Sequence, residues 1–356
     1  MTTRFGIIGT GMMGCEHIRN LAQIDAVDVV AIADPHEGSR QEARKACAGR
    51  FNPHCYEHYD DLLARDDVDA VVIATPNYTH HSVMAAVFQT DKHVLLEKPL
   101  ATTMADCNAL VAQAQRHRGL VWVALEYRYM APIAKTLELL PELGAIHMCA
   151  IREHRFPFLH KVGAWNRFNR YSGGTLVEKC CHFFDLMNLM VPSKPRRVMA
   201  SGGQNVNHLQ ERYDGEVPDI LDNAYVIVEY EGGQRAMLDL CMFAEGGRQE
   251  QHIVVTGDRG QVEATVPGTE VFLSDRAART HRAIPAPVSP QVREIGFHHG
   301  ASYLEHLAFL EALERGTPAR VTVEDGRLAV AIGLAAQQSI ATGRAVDLSE
   351  LEGFSA

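Results

Sequence analysis

Residues Phe5 to Gly14 read Phe-Gly-Ile-Ile-Gly-Thr-Gly-Met-Met-Gly, a short apolar run entering the pattern G-x-G-x-x-G. Glycines 9, 11 and 14 would serve a tight turn, close approach of a pyrophosphate, and close packing of a helix on a strand. A helix starting here offers N–H donors and a partial positive charge to phosphate oxygens. Met12 and Met13 lie between the last two glycines and are expected against the same ligand. Asp34 ends the next apolar run, 20 residues after Gly14. A carboxylate there accepts hydrogen bonds from ribose hydroxyls and repels a 2′-phosphate, so NAD is expected over NADP. Arg40 could be recruited to such a phosphate but is expected to be a solvated helix residue.

A second constellation is Ser172-Gly-Gly-Thr-Leu-Val-Glu-Lys-Cys-Cys-His-Phe-Phe-Asp185. With Thr175 as N-cap, Glu178, His182 and Asp185 fall at i, i+4 and i+7 on one helical face. Flanked by Phe183, Phe184, Leu186 and Met187, that stripe predicts a polar patch lining a pocket. No metal is expected: neighbouring residues on a helix point about 100° apart, so Glu178, Cys180, Cys181 and His182 do not converge on one ion. Just upstream, Arg152, Arg155, Lys161, Arg167 and Arg170 stand against one acid, Glu153, with Trp165 among them. Arginine forks bind carboxylate or phosphate oxygens in pairs, and an indole stacks on a sugar face. Arg155, Arg167 and Trp165 therefore suggest an anionic or glycosylated polyol.

Strand-like runs at Phe5–Gly9, Val27–Asp34, Ala70–Thr75, His93–Glu97 and Leu120–Leu125 alternate with amphipathic stretches. That alternation predicts an α/β Rossmann domain over residues 1–125, a doubly wound parallel sheet. Beyond it, runs such as Ala224–Glu231 and Gln251–Thr256 are joined by Gly-containing turns. They predict an α+β domain over 126–356 with a large, mainly antiparallel open sheet. The final helix is expected to pack back on the Rossmann domain.

The chain has 356 residues, 46% of them hydrophobic and 22% charged, enough for two cored domains. A net charge of −10 argues against nucleic-acid binding, which needs surplus Lys and Arg. No run is apolar enough for a membrane helix. Eight cysteines without a CxxC pair, and a first strand beginning near Arg4, lead to the expectation of a cytoplasmic protein.

Two further motifs carry a family resemblance: Ala74-Thr-Pro-Asn-Tyr-Thr-His80 and Lys92-His-Val-Leu-Leu-Glu-Lys-Pro-Leu100. With the glycine turn and the last helix, Glu324-Asp-Gly to Thr342-Gly-Arg, they resemble the glucose–fructose oxidoreductase / inositol dehydrogenase / MocA family over nearly the whole chain. The resemblance implies that Thr75, Pro76 and Asn77 line the dinucleotide, with Glu97 and Lys98 beside the nicotinamide. His80 contacts the cofactor or caps the following helix. A partly desolvated lysine next to a nicotinamide cation is also suited to exchanging its proton near neutrality.

Members of that family carry Asp-x-Gly-x-His-x-x-Asp where this chain has Glu178, Cys180, His182 and Asp185. The departure puts the ordinary substrate class in doubt more than the chemistry. A histidine oriented by a carboxylate suits general-base work on an alcohol. The expected catalytic set is Lys98, His182 and Glu178, with Tyr127, Asp185 and His299 as further substrate contacts. The implied activity is NAD-dependent oxidation of a CH–OH group in a sugar, cyclitol or sugar derivative. Two alternatives are redox-neutral glycoside cleavage through transient oxidation, and a non-catalytic dinucleotide sensor. A homodimer or homotetramer is expected.

Overall fold

The computed structural model describes residues 2–354. The chain divides into two compact units, described separately. The first comprises Met1–Glu126, Lys161–Trp165 and Pro290–Arg327. Its strands are β1 (Thr3–Ile8), β2 (Val27–Ala33), β3 (His54–Tyr56), β4 (Ala70–Ile73), β5 (His93–Glu97) and β6 (Val121–Ala124). All pair in parallel in the order β3-β2-β1-β4-β5-β6. The helices between them are α1 (Met12–Leu21), α2 (Glu37–Ala46), α3 (Tyr59–Leu63), α4 (His80–Val87) and α5 (Met104–Ala114). All four residues of β4 are buried, as a parallel strand covered on both faces requires. Strand order reverses between β1 and β4, where doubly wound sheets open a crevice at the carboxyl ends of their strands.

The second unit comprises Tyr127–His160, Asn166–Ser289 and Leu328–Ala356. It holds α6 (Ala131–Leu139), β7 (Ile146–His154), α7 (Asn169–Ser172), α8 (Thr175–Glu178), α9 (Cys181–Met190) and β8 (Pro195–Gly203). Strands β9 (Asn223–Tyr230), β10 (Arg235–Cys241), β11 (Gln251–Gly257), β12 (Gly260–Val266), β13 (Glu270–Asp275) and β14 (Thr280–Pro285) follow. With β15 (Val346–Asp347) they build a nine-stranded sheet ordered β14-β13-β12-β11-β7-β10-β9-β8-β15. It is antiparallel except for the β7–β10 pair. Alternate residues of β11 and β12 are buried, the period-2 pattern of a sheet covered on one face.

Two helices close the chain, α10 (Ala301–Arg315) in the first unit and α11 (Val323–Thr342), which begins in the first unit and ends in the second. In the first unit Phe309 of α10 packs against Phe5 and, edge to face, against Trp122, with ring centroids 6.2 and 6.1 Å apart. The indole N–H of Trp122 donates to Glu305 at 3.2 Å. Among the described residues no helix is long and apolar enough to cross a membrane, and all eight cysteines are free thiols.

Candidate functional site

In the first unit, the glycine turn, Asp34, Thr75 and Lys98 follow β1, β2, β4 and β5 at the carboxyl ends of neighbouring parallel strands. Gly11 caps α1 with ordinary negative φ, and a Cβ built on it meets no atom of the chain within 4 Å. A Cβ on Gly14 would sit 2.1 Å from the Gly9 carbonyl oxygen, so glycine is required for α1 to lie this close to β1. Asp34 accepts the Thr10 N–H at 2.7 Å on one oxygen and the His36 N–H at 2.8 Å on the other. Each oxygen keeps a lone pair for a hydroxyl. An open surface over Gly11, N-terminal N–H groups and a fixed carboxylate fit a dinucleotide. Met12 is exposed and Met13 half-buried on the first turn of α1.

Arg40 is not the solvated residue the sequence suggests. It is buried, donates to the Asp34 carbonyl at 2.6 Å, and pairs with Glu37 and Glu57. Thr75 and Pro76 are half-buried and Asn77 is buried in a short 3-10 turn. His80 is fully buried, its Nδ1 2.8 Å from the Pro99 carbonyl oxygen and its Nε2 3.1 Å from that of Thr75. Its ring thus ties together the loops after β4 and β5.

Glu97 ends β5 and accepts the Lys98 backbone N–H at 3.1 Å. Its other oxygen lies 2.9 Å from His17 Nε2, and His17 Nδ1 lies 2.9 Å from His306 Nε2. One tautomer set satisfies this chain: His306 donates to His17, and His17 donates to the carboxylate. Burial alone would push Glu97 up, but the His17 hydrogen bond, with Lys98 and His298 nearby, holds its pKa below the usual value. Burial, with His17 beside it, pushes His306 well below the ordinary histidine range. Nearby, His298 lies 3.5 Å from Glu16 and 3.4 Å from Glu126. Burial would lower its pKa, yet Glu126, Glu16 and Glu97 raise it. Glu126 itself is pushed up, chiefly by burial. Of the adjacent histidines, His298 is the one bridging carboxylates, while His299 is half-buried with φ +54°.

In the second unit, Glu178, His182 and Asp185 are all buried. The single helix expected for them is two, because α8 ends at Glu178 and α9 starts at Cys181. The Cys180 N–H reaches back five residues to the Thr175 carbonyl at 3.3 Å, a wide turn equivalent to one inserted residue. Both Asp185 oxygens face the Arg128 fork, one of them 2.7 Å from Nε, an engagement that anchors the segment after Tyr127. The Tyr127 ring lies flat on the His182 imidazole, centroids 4.0 Å apart and planes 10° from parallel.

Within the second unit, Arg155, Arg167 and Arg170 of the basic stretch each face carboxylates of the chain itself. Arg155 pairs with Glu153 and Glu250 at 3.8 and 3.9 Å and covers Phe156, while Arg167 is buried against Glu211 at 2.9 Å. Burial opposes ionisation of Glu211, but His208, Tyr213 and Arg167 hold its pKa at about 2. Arg170 pairs with Glu216. Trp165 belongs to the first unit, where Lys161 lies over its ring at 4.5 Å. Glu211 and Glu216, distant in sequence, thus engage the Arg167 and Arg170 forks. Sequence reasoning missed His17, His306, Glu126, Lys179 and Glu153. The available signal was polar residues at buried positions of apolar helices, as with His306 between Tyr303 and Phe309 on α10.

Residues 3–125 match the NAD-binding Rossmann fold of an oxidoreductase family named for Gfo, Idh and MocA, and residues 138–348 match its C-terminal alpha/beta domain. A myo-inositol 2-dehydrogenase of Thermotoga maritima is 27% identical over 98% of this chain and 100% of its own length. An inositol 2-dehydrogenase of Saccharopolyspora erythraea is 27% identical over 98% and 97%. The solved structure of a levoglucosan dehydrogenase with NADH and levoglucosan shares the fold, with TM-score 0.85 at 19% identity over 98% of this chain and 100% of that one. With its glycine turn, Asp34, Glu97-Lys98 and both domains accounted for, the chain belongs to the Gfo/Idh/MocA family of NAD-binding oxidoreductases.

Proposed function

We propose that this enzyme oxidises a secondary hydroxyl of an uncharged cyclitol or sugar to a ketone, using NAD. The chief support is the row of Gly11, Asp34, Thr75 and Lys98 at the carboxyl ends of adjacent parallel strands, with Lys98 following a buried, histidine-held carboxylate. The named inositol and levoglucosan dehydrogenases point to the same substrate class. The internal pairing of Arg155 and Arg167 favours a neutral polyol over an anionic one.

The glycine turn, Asp34 and the Thr75–Asn77 segment hold the dinucleotide. Bound NAD supplies the hydride acceptor for the hydrogen leaving the carbinol carbon. Lys98 donates a hydrogen bond to the substrate oxygen and stabilises its developing negative charge. The hydroxyl proton passes to His182 as general base, oriented by Glu178, or to Lys98. Glu97 supplies the countercharge for Lys98. His80 and Asp185 act as positioning residues, one through the cofactor loops and the other through Arg128.

An assembly of identical subunits accompanies this reading. Met199, Ile227 and Met237 are exposed and lie opposite one another across β8, β9 and β10. Beside them the same face carries Arg152, Asp239, His252 and Glu263, charges of both signs that a two-fold related copy can complement. Eight free thiols fit a reducing cytoplasm.

The test combines protein and NAD with a panel of cyclitols, sugars, sugar acids and glycosides, following NADH absorbance together with substrate loss. NADH rising in step with a ketone product is the expected outcome. Substrate lost while NADH stays flat would replace this reading with redox-neutral cleavage. A His182→Ala enzyme with unchanged turnover would remove His182 from the mechanism.

A further inference from the structure

We propose that Lys179 and Tyr127 form a positioning pair that fixes the ring plane of His182, with Glu153 as the buried countercharge of Lys179. The inference rests on the reading of His182 as proton acceptor. Lys179 follows the last residue of α8, and its ammonium is drawn inward rather than to solvent. Its Nζ donates to the Tyr127 hydroxyl oxygen at 2.5 Å and lies 2.9 Å from Glu153 Oε1. It also sits 4.9 Å from the centre of the Tyr127 ring and 5.4 Å from that of Phe183. Tyr127 in turn lies flat on His182. Lys179 and Tyr127 are 4% exposed, His182 2% and Glu153 0%.

A buried lysine and a buried glutamate are each costly alone and tolerated together. Burial still pushes Glu153 up despite Lys179 and Arg155. Retaining such a pair inside the unit calls for a use, and the geometry supplies one. A phenol held at its hydroxyl by an ammonium cannot swing its far end sideways without breaking a charged hydrogen bond, and the edge-on Phe183 ring, 5.8 Å away, limits rotation of its plane. An imidazole stacked on that ring loses the same freedom. A general base must hold its nitrogen on the substrate proton, and misplacement by an ångström is costly in rate. The other charged groups around the stack are Glu178 before the wide turn, Arg155 beside Glu153, and the Asp185–Arg128 pair. Lys179 is joined directly to the stacked ring.

Two variants test the pair, each with readouts that packing alone would leave unmoved. Tyr127→Phe keeps the stacked ring and removes only the hydroxyl, and Lys179→Met removes the cation. In the full-length enzyme with NAD and its oxidised polyol, each is expected to lower kcat roughly ten- to hundredfold. NAD affinity should stay at the wild-type value. The double variant should lose no more than the worse single, because the two groups act as one unit. In histidine-labelled protein, NMR should show the His182 ring resonances shifted by the stacked phenol. The titration midpoint of His182 should rise in Lys179→Met, where a neighbouring cation is gone.

Wild-type kcat and an unmoved His182 resonance in Tyr127→Phe would overturn the pairing, as would multiplicative losses in the double variant. The NMR readout needs no substrate. If His182→Ala retained turnover while the His182 shifts in both variants appeared as expected, the base assignment would fall and the pair would stand as a geometric device.

Discussion

Replacing Gly11 by alanine should separate folding from cofactor binding. The residue has φ −67° and ψ −159°, which alanine adopts without strain, and its Cβ would meet no protein atom within 4 Å. Loss of unfolded-chain freedom should stabilise the variant by about 0.4–1 kcal/mol, and alanine is a poorer N-cap by a similar amount. The two effects offset, so Tm without ligand should match wild type. The methyl group instead enters the space assigned to the pyrophosphate. Overpacking a close backbone approach costs about 1–3 kcal/mol, which is roughly a five- to 150-fold rise in Kd for NAD. Calorimetric titration with NAD measures that rise, and scanning fluorimetry without ligand checks the fold. Gly14→Ala provides the contrast, since its Cβ would strike the Gly9 carbonyl at 2.1 Å and should lower Tm even without ligand. Wild-type NAD affinity in a folded Gly11→Ala protein would refute the placement of the pyrophosphate.

Asp34→Ala should weaken NAD by roughly ten- to hundredfold, the worth of about 1.5–3 kcal/mol for hydrogen bonds to a charged group. NADP should weaken less, and an unchanged ratio of the two Kd values would contradict the role of Asp34. The pKa of His306 is lowered in the folded chain, so between that value and about 6.5 the unfolded chain binds more protons. Stability should therefore fall as pH drops below about 6.5, by up to ~1.4 kcal/mol per unit, and His306→Gln should flatten that limb in urea titrations. His298 works in the opposite sense, because its raised pKa gives stability present below about 6.5 and lost as pH rises through the folded value. His298→Gln should flatten the alkaline limb, and unchanged slopes in both variants would refute these assignments. Ile227→Asp should reduce the assembly to monomers by light scattering, and an unchanged mass would place the interface elsewhere.

The parallel sheet was legible because its signals are local. An apolar run, three glycines and an aspartate 20 residues later fall within one βαβ unit. The mainly antiparallel sheet was legible in part from alternation, as in β11 and β12, while β13 alternates too and was not read. It was not legible in β14, whose residues carry no alternation because none is buried. Spacing picked out Glu178, His182 and Asp185 but placed them on one helix, which the wide turn after Glu178 makes two. Nothing in periodicity marks a hydrogen bond that reaches back five residues instead of four. Contacts between distant segments were the least accessible. His17 meets Glu97 across 80 positions and His306 across 289, and the neutralisation of Arg167 depends on Glu211, 44 residues on. A charge run looks open to an anion until the fold brings its own acids to it.

The discontinuity of the first unit also sets a timetable for its birth on the ribosome. Its sheet is complete by Ala124, but Glu305, His306 and Phe309 lie in the segment Pro290–Arg327. At about 5–20 residues per second, the roughly 160 residues in between take on the order of ten to thirty seconds to synthesise. During that interval Phe5 and Trp122 lack the ring that covers them, and His17 lacks the partner on its second nitrogen. The nascent dinucleotide-binding half thus waits, partly uncovered, while most of the second unit emerges. Arrest of translation before residue 301 should leave it bound to a chaperone, and release of the rest of the chain should let it close.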